Sequence, residues 1–278
     1  MKLQRYNGNF AQCLAQLEEA EQKIATAKQG MQDRIARGVN SGPCSQGAWF
    51  SENFNVVQER ILVAREDYNP LIQYAQQAVD AHKSNNEFYL IDDILLNKKP
   101  ASQVLARIAE QDAKIPVPKK RVFDMGKAKT HDIPTDSFAD DEGIVFLAQN
   151  KKLAKDYGLF LKNKAGISEV TFYLPALSKQ DYSRGFWLYG LDGSGRSNFD
   201  GGSGGLGSGV GSLFGVVGSG AADARKISRA DATKLSYTQK EIDRYLKIVE
   251  EVKEGNIKIS KLESKLNPLT DFLLTLKK

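Results

Sequence analysis

Cysteine is scarce in this chain, which contains only Cys13 and Cys44. Two thiols build neither a disulfide framework nor a zinc site, so we expect two free thiols in a reducing compartment. No run of about 18 apolar residues is present, and the first residues lack the apolar segment of a signal peptide. These absences predict a protein with no membrane span that is cytoplasmic by default, with display on a particle or surface left open.

Histidine is equally scarce, with only His82 and His131. His82 ends a helical pattern and His131 lies in a loop, and neither has the HxH or HExxH spacing of a metal site. The acidic run at 140–142 favours a solvated turn over a weak calcium site. Because no nucleophile, base or metal constellation is visible, we expect no enzyme, no catalytic residue, no metal and no cofactor.

The charge pattern gives no sign of a nucleic-acid partner. The net charge is +5, and lysine and glutamate intermingle along most of the chain. Such mixing is typical of a solvated surface rather than of a basic path for a phosphate backbone. We therefore predict no specific nucleic-acid binding.

The first 115 residues carry helical periodicity. Apolar residues recur at spacings of three, four or seven, which predicts one long helix over 9–37; they are Phe10, Leu14, Leu17, Ile24, Met31 and Ile35. Further helices are predicted at 51–68, from Asn69-Pro70 to about His82, at 87–97 and at 101–114. Residues 1–115 are thus predicted to form a helical hairpin or bundle. Its apolar seam either packs internally or joins copies as a coiled coil, a possible homo-oligomer.

The pattern changes after residue 115. Pro116-Val117-Pro118 opens a polar stretch that predicts a linker over 116–142. Beyond it, strands are predicted at 144–148, 169–174 and 186–189, with a helix at 151–164. A C-terminal helical segment is predicted over 226–278, with its main helix at 238–254. The predicted fold class is α+β.

Residues 188–222 have an unusual composition. They hold 13 of the 24 glycines and six serines, and no Lys, Glu, Gln, Met or Trp. A flexible linker or a membrane-inserting glycine-rich segment would explain the glycines. Leucine, valine and phenylalanine recur throughout the segment, however, and a linker gains nothing from them, so a folded surface is favoured.

The same residue alphabet has a genetic explanation. Gly, Ser, Asp and Asn arise from an AAC codon when its adenines are kept or become guanine. Phe, Leu, Val, Tyr, Arg and Ala arise when its adenines become other bases. The five missing types cannot be reached from AAC. Adenine-directed hypermutation would leave such a pattern.

With these residues in view, the sequence resembles the variable proteins of diversity-generating retroelements, particularly the archaeal and candidate-phylum kind with a C-type-lectin-like fold. The resemblance runs from Phe186-Trp187-Leu188-Tyr189 to Leu213-Phe214-Gly215-Val216, with 143–148 as an early strand. It covers about residues 140–225. It implies a C-type-lectin-like variable domain over 143–225.

The resemblance also implies a function. It predicts a ligand-binding protein whose hypervariable surface, about residues 188–220, is diversified by a retroelement and contacts an unknown protein or surface ligand. The residues expected on that face are Tyr189, Gly193, Gly195, Arg196, Asn198, Phe199, Asp200, Ser203, Ser208 and Val217. The alternative is a structural or assembly protein of fixed sequence with a glycine-rich loop.

Overall fold

The computed structural model of the protein describes residues 2–39, 47–85, 89–91, 95–96, 99–191, 197–202, 206–207, 209 and 211–217. All of them belong to one compact unit, Met1–Asp223. Cys44 and the whole predicted C-terminal segment 226–278, with its helix at 238–254, lie outside the described residues. Within the described ranges, no helix combines the length and the apolar character that crossing a bilayer requires.

The described residues form seven helices and thirteen strands, besides short 3₁₀ turns. The helices are α1 Phe10–Glu19, α2 Ala27–Arg37, α3 Pro70–Gln73, α4 Ala75–Asn85, α5 Ala101–Gln111, α6 Glu142–Ala148 and α7 Lys151–Ala165. The strands are β1 Lys2–Asn7, β2 Lys23–Ile24, β3 Ala48–Val57, β4 Arg60–Ala64, β5 Tyr89–Leu90, β6 Leu95–Leu96, β7 Lys99–Pro100, β8 Val122–Gly126, β9 His131–Pro134, β10 Glu169–Tyr173, β11 Tyr182–Leu188, β12 Phe199–Asp200 and β13 Ser212–Val217.

One mixed sheet organises the described part of the unit. Its main path runs β1-β13-β3-β11-β12-β10-β9, and β4 and β8 extend it beside β3. The first strand, β1, pairs antiparallel with the last, β13, which in turn lies parallel to β3. The first and last described strands of the unit are therefore hydrogen-bonded side by side at one edge of the sheet.

An apolar core lies on each face of the sheet, because successive side chains of the buried strand β3 point to opposite faces. Phe50 and Phe54 belong to the core that α2, α6 and α7 cover. Trp49 and Val57 belong to the core that α1, α3, α4 and α5 cover. All ten residues of β3 are buried.

The predicted long helix over 9–37 is wrong. The chain forms α1, turns at Glu21 with a left-handed φ of 54°, adds the short strand β2 and then forms α2. Each helix begins with its own capping box, at Asn9 and at Thr26. The predicted seam packs into the cores; Phe10 and Met31 are buried. Self-association stays a prediction, and it would need another surface.

The predicted helix over 51–68 is also wrong, because this stretch forms the β3–β4 hairpin. Gln58 and Glu59 both have left-handed φ angles, 52° and 57°. Two such residues make the tight turn whose twist suits a two-residue hairpin. The first 115 residues are thus a mixture of strands and helices, not a helical hairpin, bundle or coiled coil.

Two other helices of this region are confirmed in outline. Asn69 caps α3 with Pro70 at the first helical position, and α4 continues to Asn85. The helix predicted at 101–114 is α5. Where a helix was predicted over 87–97, the described residues instead form the short strands β5 and β6.

The predicted linker over 116–142 differs from the structure. It contains β8, which pairs with β4, and β9, which pairs with β10. These pairings carry the sheet across the predicted domain boundary, so the chain before and after residue 116 shares one fold.

Of the remaining predicted elements, one is wrong and three are confirmed. The strand predicted at 144–148 is wrong, because these residues form α6, whose run Gly143-Ile144-Val145-Phe146-Leu147 is buried throughout. A short apolar run does not distinguish a buried strand from a buried helix. Helix α7 and strands β10 and β11 are confirmed. The α+β class is confirmed, with a different arrangement of elements.

Candidate functional site

The glycine-rich segment takes part in the sheet. Phe199 and Asp200 form β12, which lies between β10 and β11. Residues 212–217 form β13, which lies between β1 and β3. Since both ladders need fixed backbone positions, the described parts of this segment are folded structure, not a linker.

Several of its glycines are required by packing. A Cβ atom added at Gly211 would lie 2.0 Å from the ring of Trp49, and one at Gly201 would lie 2.4 Å from the ring of Phe54. At Gly215 it would lie 2.2 Å from Leu17. Gly209 differs, because a Cβ there would meet no atom within 4 Å. The glycines therefore include framework positions and open positions.

Main-chain hydrogen bonds tie the segment to strand β10 and to the chain at the start of helix α1. Gly8 N–H donates to the Gly211 carbonyl at 3.0 Å, and Phe10 N–H donates to the Leu206 carbonyl at 3.0 Å. Gly201 N–H donates to the Tyr173 carbonyl at 2.9 Å. We call these three bonds the main-chain anchors. They do not use the side chains of the anchored residues.

A buried arginine bonds to the two described ends of the connection between β11 and β12. Arg34, on α2, is 1% exposed. Its Nη1 donates to Tyr157 Oη at 2.8 Å and to Ser197 Oγ at 3.1 Å, and its Nη2 donates to the Tyr189 carbonyl at 2.8 Å. Tyr157 Oη and Ser197 Oγ also share a hydrogen bond of 3.1 Å. We call Arg34, Tyr157, Ser197 and the Tyr189 carbonyl the Arg34 cluster.

An aromatic cluster supports the other face of the sheet. The rings of Trp49 and Trp187 meet edge to face at 5.2 Å, and Phe10 meets Trp49 at 5.6 Å in the same way. Leu206 and Leu213 belong to this core. Trp187 is only partly buried. Trp187, the aromatic residue of the Phe186-Trp187-Leu188-Tyr189 motif, therefore packs against the core that contains Leu206 and Leu213 of the glycine-rich segment.

The predicted face divides once its residues are located. Tyr189 is 39% exposed and Val217 is 38% exposed. Asn198, Phe199 and Asp200 are 6%, 0% and 2% exposed, so their prediction as exposed contact residues is wrong. Their burial follows from their position in and beside β12, an interior strand of a sheet that has an apolar core on each face. The other predicted face residues lie outside the described residues: Gly193, Gly195, Arg196, Ser203 and Ser208.

The two exposed residues do not share one patch. Tyr189 follows β11 at the end where Leu188 pairs with Ala48. Val217 ends β13, whose Leu213 lies beside Trp49. Because β13 runs parallel to β3, Val217, four residues after Leu213, lies about 13 Å along the strand direction from the level of Trp49. Tyr189 lies on the other side of that level. We therefore use the term candidate surface for the solvent-reaching part of this segment at the Tyr189 end of the strands, with Tyr189, Leu191, Gly207 and Gly209 among its described residues.

The buried polar residues in and beside β12 accept hydrogen bonds from backbone N–H groups. Asn198 Oδ1 accepts the N–H of Thr171 at 2.9 Å, and the Asn198 carbonyl accepts the N–H of Tyr189 at 3.0 Å. Asp200 Oδ1 accepts the N–H of Gly202 at 2.7 Å. Buried polar atoms must be paired to avoid a desolvation penalty, so Asn198 and Asp200 act as framework residues.

His131 belongs to a capping arrangement. Its Nδ1 lies 2.8 Å from the Lys129 carbonyl and its Nε2 lies 3.2 Å from Asp141 Oδ2. Burial disfavours the charged ring, but the acceptors on both nitrogens outweigh it and raise the pKa of His131. Asp141 also caps α6 through the N–H of Ile144. Both ring nitrogens face acceptors, so neither offers a lone pair to a metal ion in the charged form.

An open groove of about 520 Å³ lies between α5 and β8. Three of its four charged lining residues are engaged in bonds within the protein. Arg60 pairs with Asp124 at 2.8 Å, and Lys120 Nζ donates to the carbonyls of Asp112 and Ala113. These bonds explain three of the charges of the groove as structural, and Glu110, the fourth charged residue that lines it, is exposed.

Sequence reasoning missed the Arg34 cluster. Arg34 lies in an apparently amphipathic helix, where an arginine is normally expected on the solvated face. Its partners Tyr157 and Ser197 are 123 and 163 residues away along the chain. No local pattern in a single sequence reports such a contact.

The comparisons with known proteins identify the fold. No protein-family model matches the chain, and no curated protein is similar to it in sequence. A solved chain described as "Accommodation of massive sequence variation in Nanoarchaeota by the C-type lectin fold" is similar in structure, with a TM-score of 0.57 and 11% identity. The match covers 77% of this chain and 96% of that chain. At this identity the likeness concerns fold alone, and the chain has a C-type-lectin-like fold.

Proposed function

We propose that this protein binds a ligand through a variable surface, about residues 188–220, that a retroelement diversifies. The observation that carries the proposal is the set of main-chain anchors, at Gly201, Leu206 and Gly211. Because these bonds do not depend on the anchored side chains, residues between them can change while the backbone path is kept. Surface substitutions away from packing cost little, within about ±0.5 kcal/mol.

The composition of the segment supports the same proposal. Residues 188–222 lack Lys, Glu, Gln, Met and Trp, none of which an AAC codon can yield by changes at its adenines. The structurally similar protein from Nanoarchaeota is described as accommodating massive sequence variation on this fold. The proposal extends that property to the present chain.

The proposal assigns the chain no catalytic step, metal or cofactor. The ligand is a protein or another surface component, and Tyr189 is the described residue best suited to contact it. Tyrosine contributes a large contact area with few rotamers and a polar hydroxyl group, which is why it is enriched at binding interfaces.

Reading the DNA that flanks the gene tests the proposal. We expect a non-coding near-copy of codons 188–220 that differs mainly at adenines, beside a reverse-transcriptase gene. If both elements are absent and the codons show no adenine bias, the chain is better explained as a structural or assembly protein of fixed sequence.

A further inference from the structure

The side-chain hydrogen bonds of Arg34 go to the two ends of the β11–β12 connection and to Tyr157, which contacts one of those ends. The Tyr189 carbonyl marks the end of β11, and Ser197 precedes β12. Tyr157, the third partner, comes from α7 and contacts Ser197 as well. Arg34 therefore bonds to both ends of the connection between β11 and β12.

The arrangement needs a guanidinium. Within the part of the chain that the structure describes, Arg34 has no ion-pair partner. Its charge is stabilised by hydrogen bonds to neutral acceptors and by the partial negative charge at the C-terminal end of α2. A buried cation is costly unless its donors are well satisfied. A planar fork reaches three separated acceptors, whereas a lysine ammonium is a single point on a flexible stem.

The two ends are held in different ways. At position 189 the bond goes to the backbone carbonyl, and the tyrosine side chain is exposed. A different residue at 189 would offer the same carbonyl. At position 197 the bond goes to the side-chain hydroxyl, which is fully buried. Ser197 must therefore keep a hydroxyl group, although a serine codon lies within the range that adenine changes can reach.

We propose that Arg34 is the positioning residue of the candidate surface. It holds the ends of the β11–β12 connection at a fixed separation, so that the residues between them can differ from copy to copy without changing where the connection starts and ends. The role of this restraint in holding a variable surface rests on the proposed function. The restraint itself is inferred from the hydrogen bonds of Arg34.

Amide hydrogen exchange on the full-length protein tests the inference. In Arg34→Lys, the amides of residues 186–199 should exchange about ten- to a hundred-fold faster, since buried hydrogen bonds to a charged group are lost. Amides of β4, Arg60–Ala64, should keep their wild-type rates. Tyr157→Phe removes one hydroxyl and keeps the ring, so it should accelerate the same residues by a smaller factor.

Arg37→Lys is the matched control. Arg37 lies on the same helix and pairs with Asp33, and among the described residues it makes no bond to 186–191 or 197–199. Its replacement should leave exchange at 186–199 unchanged. Equal acceleration at 186–199 and at β4 in both Arg34→Lys and Tyr157→Phe would show a global structural role and overturn the proposal. Unchanged exchange at 186–199 in both variants would overturn it too. Neither result bears on the flanking DNA, so the two proposals fail separately.

Discussion

Phe199 lies among four other aromatic rings. It stacks on Phe186 at 6.2 Å and contacts Phe172, Phe138 and Tyr157 at 5.7, 5.9 and 6.3 Å. A residue with these neighbours contributes to the core and not to a contact surface. Its composition-based assignment to the variable face fails because a phenylalanine codon is reachable from AAC whether or not the position varies.

Phe199→Ala should lower the free energy of unfolding by about 3–5 kcal/mol, because it leaves a large cavity. Tyr189→Ala should change it by less than about 1 kcal/mol, since that side chain is substantially exposed. Urea denaturation of both variants measures the difference. Similar losses in the two variants would mean that Tyr189 is a packing residue and not part of a free surface.

Glu52 is a second residue whose environment has a measurable consequence. It is fully buried on β3, and its Oε2 accepts the N–H of Ala27 at the start of α2 at 2.8 Å. Burial raises the pKa of Glu52 to about 7, although the hydrogen bonds and the charge of Arg65 oppose the increase. The folded protein thus binds this proton more tightly than the unfolded chain does.

The contribution of Glu52 to stability should be complete below the ordinary glutamate pKa and lost as the pH rises through about 7. Glu52→Gln keeps an acceptor for Ala27 and removes the ionisation. Between pH 5 and 8, the wild type should lose about 1–3 kcal/mol of stability relative to this variant. Denaturant unfolding of both proteins at several pH values measures it. Parallel pH profiles would exclude a raised pKa at Glu52.

At the scale of elements, β13 and the turn before it depend on close contact with α1 and β3. Gly211→Ala would place a methyl group against Trp49 and should cost about 1–3 kcal/mol through overpacking. Gly209→Ala is the matched substitution in open space and should change stability by less than about 0.5 kcal/mol. Thermal melting compares them. If the two alanines had equal effects, the packing of this segment against Trp49 would be incorrect.

Prediction from sequence succeeded where an element has both a clear period and clear ends. Helix α7 is capped by Asn150 and stops at Gly166, and its boundaries were close to the predicted ones. The prediction of the α1–β2–α2 region failed because the turn at Glu21 contains neither glycine nor proline, so the apolar spacing continues across the turn. Strand β3 was predicted as a helix because its buried Ser51, Glu52 and Asn53 resemble the polar face of a helix in sequence.

The candidate site was predictable only in part, for a related reason. Composition located the segment, and its apolar residues indicated a folded structure. It could not separate buried Asp200 from exposed Tyr189, because both types arise from the same codon. The Arg34 cluster depends on contacts that only the fold brings together.

At the scale of the whole molecule, the first 115 residues should not fold alone. Strand β3 needs β11 and β13 as neighbours, and β4 needs β8. A fragment of residues 1–115 should therefore show no cooperative unfolding transition, whereas residues 1–223 should unfold in one. Circular dichroism during heating distinguishes them. A cooperative, helical fragment 1–115 would restore the two-domain organisation that the sequence suggested.

The proposed function requires a surface that varies between copies of the gene on a framework that stays constant. Deep sequencing of codons 188–217 from many copies of the gene in its natural population measures this variation position by position. We expect variation at Tyr189 and Gly209, with Ser197, Phe199, Leu206 and Gly211 constant. A single fixed sequence, or variation at Phe199 as frequent as at Tyr189, would contradict it.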